Sequence, residues 1–534
     1  MKNCILLTIF GFLPMALFGS ILTVSSTSDS GFGTLRQAVL SASASDTINF
    51  SSSTNGTPIL LTSGEITLNK RLTIIGNGMG VTLIDGSSSS RIFFVDNSGT
   101  NSDTLNISML TVQNGSATVH GGGIGSFGNA PHNSYVLNLS NVEIKNCTAG
   151  FSGGGLAIGI GTLDQCYIHN NSDGGSGGGM YAHWHPVNIT NTTVANNAGL
   201  YIGGASFNGV SNLTNCTFYG NVATDTLQGK GGLHVTGEIT NCTVTKNTGA
   251  QNGGLSHSGF SSVNIVNSII YGNTGGDVLI ISFSFPPSDN ASYSNNIVDS
   301  CHVQSFSTIN CPSWYSTQDP LLDPLGLQNN GGATQTVAID CGSPAIDAGI
   351  STTQVLSTDQ RGVARIGAPD IGAYENGATI DTTVSVSGIM LIANSNTTYQ
   401  WIDCDNGNSL ISGATSQFFI PSVSGNYAVI VGDGAGCVDT SACYLVTNIG
   451  LNELGLSKVL ALYPNPNSGD FSIDLGSVHS NVEVHIVDIA GREIESLYFN
   501  KKKLIQISVK RLMGLYYISI HTDSDKAVIP LLIE

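Results

Sequence analysis

The chain has 534 residues, of which 66 are glycine, and only 10% of them are charged. Its formal net charge is −18, and no basic cluster is long enough to follow a phosphate backbone, which argues against nucleic acid as a partner. The length allows several domains, and a glycine-rich, charge-poor composition favours β-solenoids and β-sandwiches with many turns.

Residues 1–20 have the layout of a secretory signal peptide. The short start Met1–Asn3 contains one lysine, an apolar run covers residues 4–18, and the small residues Gly19 and Ser20 follow. The mature chain is therefore expected to begin near Ile21. No later apolar stretch approaches the length of about 18 residues that a membrane-spanning helix needs. The sequence predicts an exported protein without a membrane-spanning segment.

The next two motifs, Gly33–Val39 and Asp46–Phe50, resemble the amino-terminal segment of secreted right-handed β-helix proteins. That group includes relatives of the polymorphic outer-membrane proteins. A short amphipathic helix from Leu35 to Leu40 is expected to cover the open end of an apolar stack.

A nine-residue frame recurs through the middle of the chain. Its slots read apolar, any, Asn, small, Thr-like, apolar, any, any, Asn, as in Leu213–Asn221. The first slots of the copies are Ile107, Leu139, Leu163, Ile189, Leu213, Ile239 and Ile265. Spacings of 24 or 26 residues, with one of 32, indicate stacked coils that bury their apolar faces against one another.

Glycine pairs followed by an apolar residue, such as Gly154-Gly155-Leu156, lie between the frames and mark a further strand in each coil. Within these repeated segments, apolar residues at helical spacing are missing, so the repeats are not amphipathic helices. The sequence predicts an all-β fold: a right-handed parallel β-helix over residues 21–318, with its cap, followed by small β-sandwich domains.

The Asn in slot three is expected to adopt a left-handed turn and to stack into a structural ladder along the solenoid. Ligand binding by these side chains is the alternative. The predicted ladder consists of Asn141, Asn191, Asn215, Asn241 and Asn267.

A binding face is expected on the outward positions after the glycine pairs. Aromatic and imidazole rings on a flat β surface suit stacking against sugars, whereas the alternative is an ordinary solvent-exposed sheet. The candidate residues are Phe127, Tyr181, His183, Ser206 and His234.

Residues 319–375 carry five ordered motifs, from Asp319-Pro320-Leu321-Leu322 to Asp370–Glu375, that resemble the closing domain called choice-of-anchor. We call this range the closing segment. Its carboxylates could bind calcium, but turn and salt-bridge roles for Asp347, Asp359 and Asp370 are favoured. No motif supports a cofactor, and no metal ligands are predicted.

Residues 376–447 resemble an immunoglobulin-like β-sandwich. The segment holds three cysteines, Cys404, Cys437 and Cys443, and the sequence does not choose among the possible pairings. It is interpreted as a spacer or binding domain.

After a linker at residues 448–457, residues 458–534 resemble the type A carboxy-terminal sorting domain of the type IX secretion system of Gram-negative bacteria. The motif is Tyr463-Pro464-Asn465-Pro466, followed by Gly491-Arg492 and Gly514–Ile518. The resemblance implies export to the periplasm, handling by the type IX machinery, and a final place outside the cell or on the outer-membrane surface.

Two functions remain open. The first is a non-catalytic secreted or cell-surface protein, an adhesin that binds glycan or a cell-surface partner. The alternative is an extracellular polysaccharide lyase or hydrolase of the pectate-lyase-like β-helix type, which needs an acid and base cluster. The acids of the frames do not share one slot, so no catalytic residue is predicted and the binding function is preferred.

Overall fold

The structure is a computed structural model, and it describes residues 19–96, 104–126, 136–183, 185–258, 263–282, 292–305, 315–377, 380–433, 437–447, 456, 459–509 and 513–534. Two compact units are present: Met1–Ile380 with Gly432–Val438, and Asp381–Val431 with Asp439–Glu534. None of the helices in the described ranges has the length and apolar character needed to cross a membrane.

The first strand of the first unit is Ile21–Val24, and a short α-helix, Leu35–Ser41, follows it. Thr34 caps it, since its side chain accepts a hydrogen bond from the backbone N–H of Gln37 at 3.3 Å. Leu35, Ala38 and Val39 are buried, because their spacing places them on one side of the helix.

A parallel β-solenoid of about ten turns follows, which confirms the predicted fold class. Each strand pairs in parallel with strands of the neighbouring coils, and four walls result. The wall after the glycine pairs holds Ile66–Leu68, Phe93–Val95, Ile124–Gly125, Leu156–Ile158, Met180–Ala182, the first part of Ala205–Thr214, the first part of Leu233–Thr240, Leu255–Ser258, Val278–Ser282 and Cys301–Ser305.

The next two walls carry the frame. The first holds Ile21–Val24, Thr47–Phe50, Thr73–Ile75, the starts of Thr104–Gln113 and Val136–Lys145, then Ile160–Asp164, Val187–Thr190, the ends of Ala205–Thr214 and Leu233–Thr240, then Val263–Val266 and Ser292–Ser294. The second holds Ile59–Leu60, Leu83–Asp85, the ends of Thr104–Gln113 and Val136–Lys145, then Tyr167–His169, Thr193–Ala195, Thr217–Tyr219, Thr243–Thr245, Ile269–Tyr271, Asn296–Val298 and Tyr315–Ser316. A short fourth wall holds Ser116–Ala117, Thr148–Ala149, Ser172–Asp173, Ala198–Gly199 and Val222–Ala223.

Two corners of each coil are built from residues with positive φ, at slots three and eight of the frame. Asn tolerates this conformation better than other residues with a Cβ, and glycine tolerates it best. Slot eight holds Asn114, Asn146, Asn170, Asn196, Gly220, Lys246 and Gly272, all with φ between 53° and 69°. Most corners therefore carry Asn or Gly, and Met109, Gln165 and Lys246 are the exceptions at these two slots.

A continuous ladder of buried asparagine side chains runs through slot nine. From Asn197 onward, each side-chain oxygen accepts hydrogen bonds from the backbone N–H and the side-chain amide of the Asn one coil earlier, at 2.9–3.0 Å. The oxygen of Asn171, the first member, accepts the backbone N–H of Cys147 at 2.9 Å. The members are Asn171, Asn197, Asn221, Asn247 and Asn273. The ladder satisfies polar groups inside an otherwise apolar stack, since an unpaired buried amide is costly.

The closing segment lies on the outer side of the second frame wall, within the first unit. Its antiparallel strands are Leu322–Gln328 and Thr336–Ile339. Gln360 donates to Thr193 Oγ1 at 2.7 Å and accepts from Thr217 Oγ1 at 2.6 Å. The Thr-like residue of slot five therefore serves as a row of hydrogen-bonding groups under this segment.

The second unit is antiparallel. Its first part has a sheet of Val384–Ser387, Met390–Ala393 and Phe418–Phe419, and a sheet of Thr398–Asp403, Ser409–Leu410, Gly425–Gly432, Val438–Thr440 and Tyr444–Val446. Trp401 is fully buried and stacks on Phe419. Cys404 pairs with Cys443. Cys437 belongs to the Gly432–Val438 stretch of the first unit, and it pairs within that unit with Cys341 of the closing segment.

The rest of the second unit is one five-stranded antiparallel sheet with its own apolar core. Its strands are Ala461–Tyr463, Asp470–Asp488, Glu493–Ser508, Gly514–His521 and Lys526–Ile533. We call residues 458–534 the sorting tail.

Candidate functional site

Four ring side chains meet on the solenoid near the glycine-pair wall. His120 stacks nearly parallel on Tyr181 with ring centroids 6.4 Å apart, and Phe151 meets His120 edge-on at 5.6 Å. The ring centroid of His183 lies 6.1 Å from that of Tyr181, and the two rings are tilted by 46°. We call these four residues the ring cluster. Phe151 is 61% exposed, so the cluster presents aromatic surface to solvent.

Hydrogen bonding holds Tyr181 in this position. Asn208 donates its side-chain amide to Tyr181 Oη at 2.8 Å, and Asn208 itself is exposed. A phenol beside an exposed amide offers both a stacking face and polar groups, which is the combination that sugar rings require.

The predicted face residues separate into two groups. Tyr181, Ser206 and His234 occupy one register row, as the repeat indicated, but Ser206 is only 2% exposed and offers no surface to a ligand. His234 is half-buried, and its Nδ1 lies 3.0 Å from Ser256 Oγ. Phe127 lies outside the described residues. Of the predicted face residues, Tyr181 and His183 belong to the ring cluster. The other two members, His120 and Phe151, lie before the glycine pairs, so the repeat pattern did not single them out.

The imidazoles of the ring cluster are uncharged near neutral pH. Burial, followed by repulsion from the charge of Arg91 and from His183 in its protonated form, lowers the pKa of His120. Burial and then His185 lower the pKa of His183. The cluster thus has an aromatic, uncharged character, which suits a neutral ligand surface better than an ionic one.

His234 predicts a pH effect on stability. Burial, then Lys230 and His257, lower its pKa to about 4. Between pH 6.5 and 4 the unfolded chain binds a proton here and the folded chain does not, so stability falls as the pH falls, by up to about 3 kcal/mol. We expect the His234→Gln variant to lose less thermal stability than the wild type between pH 7 and 4.5, as measured by calorimetry.

The matched control for that experiment is His302→Gln, because His302 continues the same row but is exposed. A wild-type melting curve with the same pH slope as that of His234→Gln would contradict the assignment.

A second polar cluster lies on the second frame wall. Glu143 accepts from Lys145 Nζ at 2.9 Å, from Thr111 Oγ1 at 2.8 Å, and lies 3.0 Å from His169 Nε2. Burial acts to raise the pKa of Glu143, but these hydrogen bonds outweigh it and hold the pKa at about 2. Tyr167 stacks on His169 at 4.1 Å. Lys145 lies two residues from Glu143 on the same strand, and the pairing of neighbouring coils brings His169 beside them.

The slot-three asparagines lie at left-handed corners with φ between 50° and 53°. Side-chain contacts between neighbours join Asn215 to Asn191 at 3.2 Å and Asn267 to Asn241 at 3.5 Å. Three of them also donate their side-chain amides to the closing segment: Asn215 to Thr358 O, Asn241 to Asp370 O, and Asn267 to Ile350 O, at 2.8–2.9 Å.

The carboxylates of the closing segment are engaged by protein groups. Asp359 is fully buried, pairs with Arg361 at 2.7 Å, and accepts the backbone N–H of Glu375 at 3.0 Å. Asp370 accepts the N–H groups of Asp347 and Asn376, and burial raises its pKa to about 6. These oxygens thus accept hydrogen bonds from the backbone of the segment.

The sorting motif is fastened to the last strand. Asn465 accepts the backbone N–H of Leu532 at 2.8 Å and donates to Pro530 O at 2.9 Å. Tyr463-Pro464 and Asn465-Pro466 are cis peptide bonds. The motif thus joins the first and last strands of the tail.

Two comparisons with known proteins bear on this site. The family described as the secretion system C-terminal sorting domain matches residues 461–534. No curated protein matches the chain. The chain therefore carries a secretion system C-terminal sorting domain, which marks it for handling by the type IX machinery and for export to the cell surface or extracellular space.

Proposed function

We propose that this protein is a non-catalytic surface or secreted adhesin that binds glycan through the ring cluster. The observation that carries the proposal is the stacked contact of His120 with Tyr181, flanked by exposed Phe151 and by His183. Rings of this kind supply flat apolar contact, and Asn208 supplies polar selectivity beside them.

The other segments of the chain support the display of the solenoid outside the cell. The sorting tail delivers the chain outside the cell, the closing segment covers the second frame wall, and the immunoglobulin-like residues 376–447 act as a spacer. In this proposal the domain limits are those of the sequence: signal peptide 1–20, solenoid 21–318, closing segment 319–375, spacer 376–447, linker 448–457 and sorting tail 458–534.

The test is glycan-array binding by the purified full chain and by Tyr181→Ala. Loss of one stacking ring is worth about 1 kcal/mol, so we expect affinity for the bound glycan to fall about fivefold to tenfold. Tyr201→Ala is the matched control, because Tyr201 is a 45% exposed tyrosine of the same solenoid outside the ring cluster. Unchanged binding by Tyr181→Ala, or an equal loss in Tyr201→Ala, would place the ligand elsewhere.

A polysaccharide lyase or hydrolase is the second candidate, and the Glu143, Lys145 and His169 cluster favours it. Such enzymes need an acid and a base on one face. With a pKa of about 2, Glu143 is ionised at neutral pH and cannot donate a proton. If substrate turnover exists, Glu143→Gln should abolish it without weakening glycan binding at the ring cluster.

A further inference from the structure

A separate group of three side chains meets on one face of the sorting tail. Glu483 and His485 are separated by one residue on the strand Asp470–Asp488, so their side chains lie on the same face of the sheet. His521 lies on the next strand, directly opposite Glu483. One possible ligand atom from each residue lies within 4.8 Å of those of the other two.

The surroundings of His485 orient its ring. Its Nδ1 lies 2.7 Å from Glu493 Oε2 and 3.2 Å from Ser496 Oγ, whereas its Nε2 lies 3.7 Å from Glu483 Oε2. When Nδ1 carries the hydrogen and donates to a carboxylate, Nε2 keeps its lone pair and faces the group. A carboxylate behind a ligating imidazole is the usual arrangement around protein-bound metals.

His521 is held in a similar way. Its Nε2 lies 3.0 Å from Ser519 Oγ, and its ring lies 5.5 Å from that of His485. The hydroxyl contact fixes one ring nitrogen and leaves the other available as a ligand. The two imidazoles thus approach the Glu483 carboxylate from adjacent strands.

We propose that Glu483, His485 and His521 form a binding site for a divalent transition metal ion of the zinc class. Two imidazole nitrogens and one carboxylate oxygen form a ligand set that favours such ions, whereas calcium and magnesium favour ligand sets made of oxygen atoms. Tetrahedral bonds of about 2.0–2.1 Å place ligand atoms about 3.4 Å apart, close to the present 3.7 Å between His485 and Glu483. Glu483 is half-exposed, so water completes the coordination.

An ion at this position would bridge the two strands and stabilise the folded tail. Binding only to the folded form raises the melting temperature in proportion to the logarithm of free metal above the dissociation constant. The site lies in the second unit and does not depend on glycan binding by the solenoid.

The experiment is calorimetric titration of the chelator-treated full chain with Zn²⁺, together with the visible absorption of added Co²⁺. We expect the His485→Ala/His521→Ala variant to bind one equivalent less than the wild type and to lose the tetrahedral Co²⁺ bands. His479→Ala is the control, because this histidine belongs to the same strand but contacts Ser477 instead, and it should bind as the wild type does.

A milder variant separates metal binding from folding. Glu493→Gln keeps all three ligands and removes only the carboxylate behind His485, so we expect about tenfold weaker Zn²⁺ binding with an unchanged circular dichroism spectrum. Three results would overturn the proposal: no binding at 100 µM Zn²⁺, the same stoichiometry in the double variant, or an equal loss in His479→Ala.

Discussion

Replacing Asn221 with Leu should lower the stability of the surrounding coils by about 4 kcal/mol. The Asn221 side chain accepts the N–H and the side-chain amide of Asn197 and donates to Val194 O and Asn247 Oδ1, all at 2.9–3.0 Å. Leucine has a similar volume but removes all four hydrogen bonds. The Asn197 amide keeps its bond to Ile168 O and Asn247 Oδ1 keeps the backbone N–H of residue 221, whereas the backbone N–H of Asn197 loses its partner. Each buried group that loses a partner costs about 1–3 kcal/mol. Hydrogen–deuterium exchange of peptides spanning residues 190–250 measures the effect as faster opening.

The matched control is Asn212→Leu in the same coil. Asn212 is exposed, and its amide contacts Asn188 on the outer surface at 3.0 Å. We expect its effect to stay within about 0.5 kcal/mol. Equal protection in the wild type and the Asn221→Leu variant would show that the slot-nine ladder does not hold the coils together.

Replacing Arg365 with Met should destabilise the closing segment by about 3–5 kcal/mol. The Arg365 side chain is 5% exposed, and its guanidinium pairs with Glu375 at 2.7 Å and donates to Asn215 Oδ1 of the solenoid at 3.0 Å. Without it, the Glu375 carboxylate, 2% exposed, is left buried without its cation. Hydrogen–deuterium exchange of the backbone amides should become faster in residues 358–376. It should also become faster in the solenoid coils beneath them that contain Thr193 and Thr217.

The double variant Arg365→Met/Glu375→Gln separates the two causes. Because it also removes the buried negative charge, it should recover part of the loss seen in Arg365→Met. A double variant as unstable as the sum of both single variants would mean that the two side chains act independently.

The repeat frame predicted the solenoid because its evidence is local. Asn and Gly mark the corners, and the apolar slots one and six mark the inward positions, as in fully buried Leu213 and Phe218. The frame also contained the slot-nine Asn, but only the structure shows that this column, and not slot three alone, carries the continuous ladder. Whether asparagine side chains stack into a ladder depends on which of them point inward at a corner of the coil. The spacing of the repeat in the sequence does not give that direction.

The candidate sites were less predictable, because they depend on register between coils. His120 and Tyr181 are 61 residues apart, and Glu143 and His169 lie in different slots of successive frames. Their contacts arise from coil stacking. Likewise, Glu483 and His521 meet only through the pairing of two strands of the tail. A spacing rule within one coil cannot find such pairs.

The central claim is that the solenoid binds glycan without consuming it, and one measurement tests this most directly. The full chain is incubated with acidic and neutral polysaccharides, with and without calcium, while retention on the polysaccharide and release of unsaturated or shortened products are followed in the same sample. We predict retention that depends on Tyr181 with no product over time. Product that appears in the wild type and vanishes in Glu143→Gln would contradict the account and identify the protein as an enzyme.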